Sequence, residues 1–157
     1  MTLKKCHLCG NYKYSFEKVH ICPPAWFVWQ EGEEPEEFNR IYADSEKQAI
    51  DRYLAPILSA EFDTDVRTIF ILPSQSNYFD DQEELLSVKE TLLDIQEALK
   101  EGTFFEYYEE GEKQLYEDKV TKLTASIKSE SEKIKKFEVE AYFDYQLNFK
   151  EIKTNLN

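Results

Sequence analysis

Val66-Arg67-Thr68-Ile69-Phe70-Ile71-Leu72, closed by Pro73, is the stretch on which the fold turns. Five of its seven residues are β-branched or aromatic, the types that sit well on a pleated surface. The apolar residues run on rather than alternate, as in an inner strand covered on both faces. Pro73 has no N–H to give a ladder and stops the strand.

Outward from it toward the N-terminus lie an acidic loop, Glu61 to Asp65, and a helix. Ala49, Ile50, Tyr53, Leu54 and Ile57 share one helical face. Ser45 and Gln48 have the spacing of a capping box, each side chain meeting an orphan amide of the first turn. Pro56 is expected to end or bend the helix just before itself. Ala25-Trp26-Phe27-Val28-Trp29-Gln30 reads as a strand, and Phe38 to Ala43 as its returning partner. Between them Glu31 to Glu37 holds five glutamates in seven residues. Residues 25–73 therefore read strand, strand, helix, strand. The third strand belongs either antiparallel beside the first or parallel beside the second. That is roughly half of a ferredoxin-like arrangement, with the helix on one sheet face.

Toward the C-terminus, Ser74 to Asp81 is polar and reads as a linker. Leu85, Val88, Leu92, Ile95 and Leu99 then form one apolar seam, ending near Gly102. Thr103 to Glu110 is aromatic and acidic, either helical or a short strand. From Glu112 a second helix carries Tyr116, Val120, Leu123, Ile127 and Ile134, giving an antiparallel helical hairpin. Last, Phe137, Val139, Ala141, Phe143, Tyr145, Leu147 and Phe149 alternate with other residues, most of them polar. Period two without a turn residue predicts one long strand, 137–149, at or near a sheet edge. Such a length exceeds the usual strand, so a homodimer paired through it is one expectation. The fold class is α+β. It has a zinc-knuckle-like segment over 1–24, a ββαβ unit over 25–73, and a helical hairpin with a long C-terminal antiparallel strand over 82–153, packed with 25–73 as one domain.

The N-terminal segment holds the chemistry. Cys6-His7-Leu8-Cys9-Gly10 and His20-Ile21-Cys22-Pro23-Pro24 contain all three cysteines and both histidines of the chain. A Cys-x-x-Cys-Gly turn places two thiolates on one tight loop, with glycine free to take positive φ beneath an ion. His20 and Cys22, two apart on an extended segment, point the same way. Cys6, Cys9, His20 and Cys22 are thus the expected ligands, with His7 able to stand in for His20. Three thiolates and one imidazole leave a zinc ion no open position, so the metal would be structural. An odd cysteine count and no signal sequence argue against a disulfide.

The net charge of the chain is −13. Residues 1–22 hold four lysines against one glutamate, so the other 135 residues carry −16. An acidic surface repels phosphate backbones and favours basic partners. Within the positive segment, Tyr12, Lys13, Tyr14 and Lys18 interleave aromatic and cationic groups, the pattern of a nucleic-acid contact, or of one face of a short strand in the knuckle. No apolar run approaches the length of a membrane span, and Met1 is followed by polar residues. A cytoplasmic protein without membrane contact is the expectation.

The series Cys-x-x-Cys-Gly, His20-Ile-Cys-Pro-Pro-Ala-Trp-Phe-Val28 and Ile41-Tyr-Ala-Asp-Ser45 resembles a family of small bacterial and phage proteins. These carry a cysteine knuckle, a His-x-Cys-Pro-Pro-x-Trp-x-Val segment and a Tyr-Ala-x-Asp turn into a helix. The resemblance covers about residues 6–72 and brings no activity with it. Taken with the acidic charge, the resemblance makes a phage-type inhibitor or adaptor acting on a nucleic-acid-handling partner one concrete form of the expectation.

Four ungrouped glycines exclude a P-loop and a dinucleotide fingerprint. There is no Gly-x-Ser-x-Gly elbow, and a knuckle that takes up both histidines leaves none for a catalytic triad. An enzyme is not expected. The leading expectation is an acidic protein-binding module with a structural zinc knuckle. The alternatives are nucleic-acid binding through Tyr12 to Lys18 and a structural homodimer.

Overall fold

The computed structural model describes residues 2–14, 20–33, 40–60, 66–141 and 146–153, without the side chains of residues 13, 14, 59 and 60. The chain divides into two compact units. One is Met1–Gln75 with Ile134–Asn157, and the other is Ser76–Lys133. The expected 82–153 group is divided between them, its helices in the second and its C-terminal strand in the first, whose sheet that strand was expected to join. The C-terminal strand belongs with the sheet because its ladder partners are there.

The first unit contains a small ribbon, β1 (Leu3–Lys5) against β2 (Tyr12–Tyr14). Its main sheet is built from β3 (Ala25–Gln30), β4 (Arg40–Tyr42), β5 (Val66–Pro73), β6 (Lys135–Ala141) and β7 (Leu147–Ile152), with helix α1 (Glu46–Ala60) between β4 and β5. The five strands lie in the order β4-β3-β5-β6-β7, every pairing antiparallel. Of the two places open to β5, the sheet uses the one beside β3, with Val28 opposite Ile71.

Direct cross-strand partners share a face, which sorts the sheet. Val28, Ile69, Ile71, Phe137, Val139 and Ala141 form one buried core with Ala49, Ile50, Leu54 and Leu58 of α1. Phe27 and Leu72 are buried on the opposite face, where Trp29 stacks on Phe70 at 5.7 Å. The apolar run of β5 is thus buried on both faces, at Ile69 and Ile71 on one and Leu72 on the other.

Three expectations in this unit change. Helix α1 continues through Pro56. Pro56 lies on the exposed side, so its missing N–H falls away from the core while Leu58 extends the buried face. The capping box is shifted by one residue. Ser45 Oγ accepts from the Gln48 amide at 3.2 Å, but Gln48 Oε1 accepts from the Asp44 amide at 2.7 Å. The run 137–149 is two strands, with Ala141 opposite Leu147 and Val139 opposite Phe149. This register pairs odd residues with odd residues, so Phe137, Val139, Ala141, Leu147 and Phe149 share one face, while Phe143 and Tyr145 lie outside the described residues. Alternation therefore continues unbroken through a hairpin. The expected acidic loop 61–65 and the beginning of the returning strand, Phe38 and Asn39, lie outside the described residues.

The second unit holds α2 (Tyr78–Glu101), the short α3 (Phe104–Tyr107) and α4 (Glu112–Ser131). Helix α2 and helix α4 run antiparallel. Ser126 Oγ donates to Asp81 at 2.6 Å, Ser76 Oγ to Glu130 at 2.5 Å, and Lys119 pairs with Glu84 at 3.2 Å. The helix begins inside the stretch read as a linker, and Gly102, at φ +73, caps its end. The seam closes on buried Ala98 while Leu99 is exposed. Ile134 lies beyond the end of α4, just before β6. Among the described residues no helix is long and apolar enough to cross a membrane.

Candidate metal centre

The ribbon β1–β2 builds half of the site. Cys6 follows β1, and its amide donates to the Asn11 carbonyl at 2.8 Å. The Gly10 amide returns to the Cys6 carbonyl at 2.9 Å, with Gly10 at φ +75. This closed turn presents Cys6 and Cys9 together. The other half comes from the extended segment leading into β3. There the Pro24 carbonyl accepts from the Ala43 amide at 3.0 Å and the Trp26 indole donates to the Ala43 carbonyl at 3.2 Å, which fixes the segment to the sheet.

Cys6, Cys9, His20 and Cys22 offer one ligand atom each, all within 4.8 Å of one another. Cys6 Sγ lies 3.8 Å from Cys22 Sγ, and Cys9 Sγ lies 3.2 Å from His20 Nε2. A tetrahedral zinc with Zn–S of about 2.3 Å and Zn–N of about 2.0 Å holds its sulfurs about 3.8 Å apart and a sulfur–nitrogen pair about 3.5 Å apart. The donor set and its spacing fit a metal ion. All three cysteines are free thiols.

The electrostatics of the thiols are uneven. Amides of Cys9 and Leu8 aimed at the Cys6 sulfur hold that thiol down at about 7. Removal from water, with the neighbouring thiols adding to it, pushes Cys22 up to about 11. A coordinated cation reverses the second effect, because a metal-bound thiol is deprotonated outright. His7, the stand-in for His20, is exposed and outside the cluster.

The expected nucleic-acid residues are only partly brought into view. Tyr12 is 68% exposed. It stands opposite Lys5 on the ribbon, and Lys13 stands opposite Lys4. Tyr14 is the last residue of β2. Lys18 lies outside the described residues.

Sequence reasoning missed two parts of this region. Strand β1 is too short and too charged to show a period. The second omission is an open cleft of about 600 Å³ beside the knuckle, whose lining includes Lys5, His7, Arg40, Tyr42 and Arg52. These come from three separate elements and the turn, so no local pattern announces them. Comparison with family models, curated proteins and solved structures finds no match to this chain.

Proposed function

We propose that the protein is a non-catalytic binding module whose N-terminal knuckle is held together by structural zinc. The observation that carries this is the Cys6, Cys9, His20 and Cys22 cluster. Four soft or borderline ligands complete a tetrahedral ion and leave no position for water or substrate. When bound, the ion would lock the ribbon to the segment entering β3 and so give 24 residues with little core of their own a fixed shape. The acidic remainder of the chain, at −16 outside residues 1–22, supports docking on a basic protein partner. A phage-type adaptor or inhibitor of a nucleic-acid-handling protein is the concrete form of that reading.

Chelation followed by a two-dimensional amide spectrum tests the knuckle. Removal of zinc should collapse the signals of residues 2–24 and leave the sheet signals dispersed. Spectra identical with and without chelator would contradict the reading. A pull-down from host lysate, with and without nuclease, tests the docking. A protein partner that survives nuclease and is released by salt supports it.

One observation favours a second reading. Tyr12 is exposed on a ribbon that places lysines on both strands. A single strand of nucleic acid stacked on Tyr12 would be retained in a salt-dependent way and lost from the Lys13→Glu, Lys18→Glu double variant. Retention indifferent to both changes would exclude it.

A further inference from the structure

The cleft beside the knuckle has a charge opposite to that of the molecule. The chain has 32 acidic residues and 19 basic ones. Yet the described residues lining this cleft include Lys5, Arg40 and Arg52 and not one carboxylate. Lys5 comes from β1, Arg40 from β4 and Arg52 from α1. Among the described residues none of the three takes part in an ion pair. Lys5, Arg40 and Arg52 thus line one cleft at the β4 edge of the sheet, Arg40 from the Phe27 face and Arg52 from α1, and nothing in the packing of the sheet requires this excess of cations there.

The two arginines are also held in place. The Arg52 guanidinium donates to the Tyr42 carbonyl. The Arg40 guanidinium sits over the Phe27 ring, 5.8 Å from its centroid. Heads fixed by contacts behind them lose less freedom when an anion arrives. Guanidinium groups also match the geometry of phosphate oxygens.

We propose that this cleft is a binding site for a small phosphate-bearing ligand of about nucleotide size, with Lys5, Arg40 and Arg52 neutralising the phosphate. The volume of about 600 Å³ lies in the range of small-molecule sites. The surrounding acidic surface disfavours a long polyanion. A compact ligand feels chiefly the local cations, because charges farther away than about 8 Å are screened at physiological salt. The site rests on the metal-held knuckle for one wall, since Lys5 and His7 flank Cys6, while Arg40 and Arg52 belong to the sheet and helix.

The test is calorimetric titration of the full zinc-loaded chain with pyrophosphate, with adenosine monophosphate and with a short thymidine oligonucleotide, the zinc content being measured on the same sample. Saturable binding of pyrophosphate and the nucleotide is expected. It should weaken about tenfold in Arg40→Gln and again in Arg40→Gln with Lys5→Gln, and stay unchanged in Lys119→Gln on α4. Both substituted positions are exposed, and circular dichroism confirms that the variants fold. Binding of the oligonucleotide alone would overturn the small-ligand assignment in favour of a nucleic-acid strand. No binding by zinc-loaded protein, or binding equal in all variants, would overturn the site and leave the knuckle standing. A chain that takes up no zinc yet binds pyrophosphate with this substitution pattern would support the cleft and remove the metal reading.

Discussion

At the scale of single residues, Gly10 and Cys22 show how the site is made. Gly10 holds φ at +75 so that its amide can close on Cys6. An alanine there meets only ordinary contact with Lys5, so its effect is conformational, about 1 kcal/mol for a left-handed residue with a Cβ. Gly10→Ala should therefore keep one metal per chain but weaken its affinity about fivefold, measured by competition with a chelating dye. An unchanged affinity would show that the turn does not set the thiol geometry. Cys22 has its thiol pushed up to about 11 and is protonated at pH 8 in the metal-free chain. Metal binding must then displace its proton, so apparent affinity rises with pH and falls on acidification. Calorimetry at pH 8 in two buffers of different ionisation enthalpy should show at least one proton released per zinc. Equal heats in both buffers would contradict the ligand role of Cys22.

At this scale the clustering of Cys6, Cys9, His20 and Cys22 was legible in the sequence and the cleft was not. The spacing Cys-x-x-Cys-Gly with His-x-Cys is local, and local spacing constrains local geometry. Lys5, Arg40 and Arg52 come from the knuckle, from β4 and from α1, and no local spacing announces that they line one cleft.

At the scale of elements, α1 and the β6–β7 hairpin mark the limits of pattern reading. Pro56 is a helix breaker in isolation, yet Leu54 and Leu58 bury on either side of it and hold the helix together. Pro56→Ala should stabilise the protein by about 1–3 kcal/mol, because the proline penalty is partly offset by its effect on the unfolded chain. Chemical denaturation checks this, and an unchanged or lower midpoint would mean that the proline ring packs usefully. The hairpin was invisible for a different reason. Its odd-with-odd register keeps the alternation in phase, and no glycine or proline punctuates it.

Two ion pairs give the elements opposite pH signatures. Glu130 is held below the usual carboxylate range by hydrogen bonds from Lys133 and Ser76. Its contribution is present above the ordinary carboxylate value and is lost as pH falls through the lowered folded value. Acid unfolding of the helical unit should therefore begin at higher pH in Glu130→Gln, followed by helical circular dichroism. Coincident acid transitions would remove Glu130 from the account of that unit. Lys135 is raised by the Glu46 carboxylate at 2.7 Å. Its contribution is present below the ordinary lysine value and fades as pH rises through the raised one.

At the scale of the whole molecule, the chain is two compact units joined twice, with residues 76–133 inserted into the sheet unit. Sequence periods identified the helices and the strands but not this nesting, since a period says nothing about which distant strand completes a ladder. The length argument for a dimer paired through 137–149 no longer applies once the run folds back on itself. A homodimer through the β7 edge is still a proposal, and Lys150 and Glu151 at that edge work against it. Light scattering that gives one chain mass at every concentration would remove it.

The claim on which the rest depends is the metal in the knuckle, and native mass spectrometry of the full chain tests it most directly. One zinc per chain is expected in the parent and in His7→Ala, and none in Cys9→Ala. A parent that carries no zinc after reconstitution, or a Cys9→Ala variant that carries as much as the parent, would contradict it.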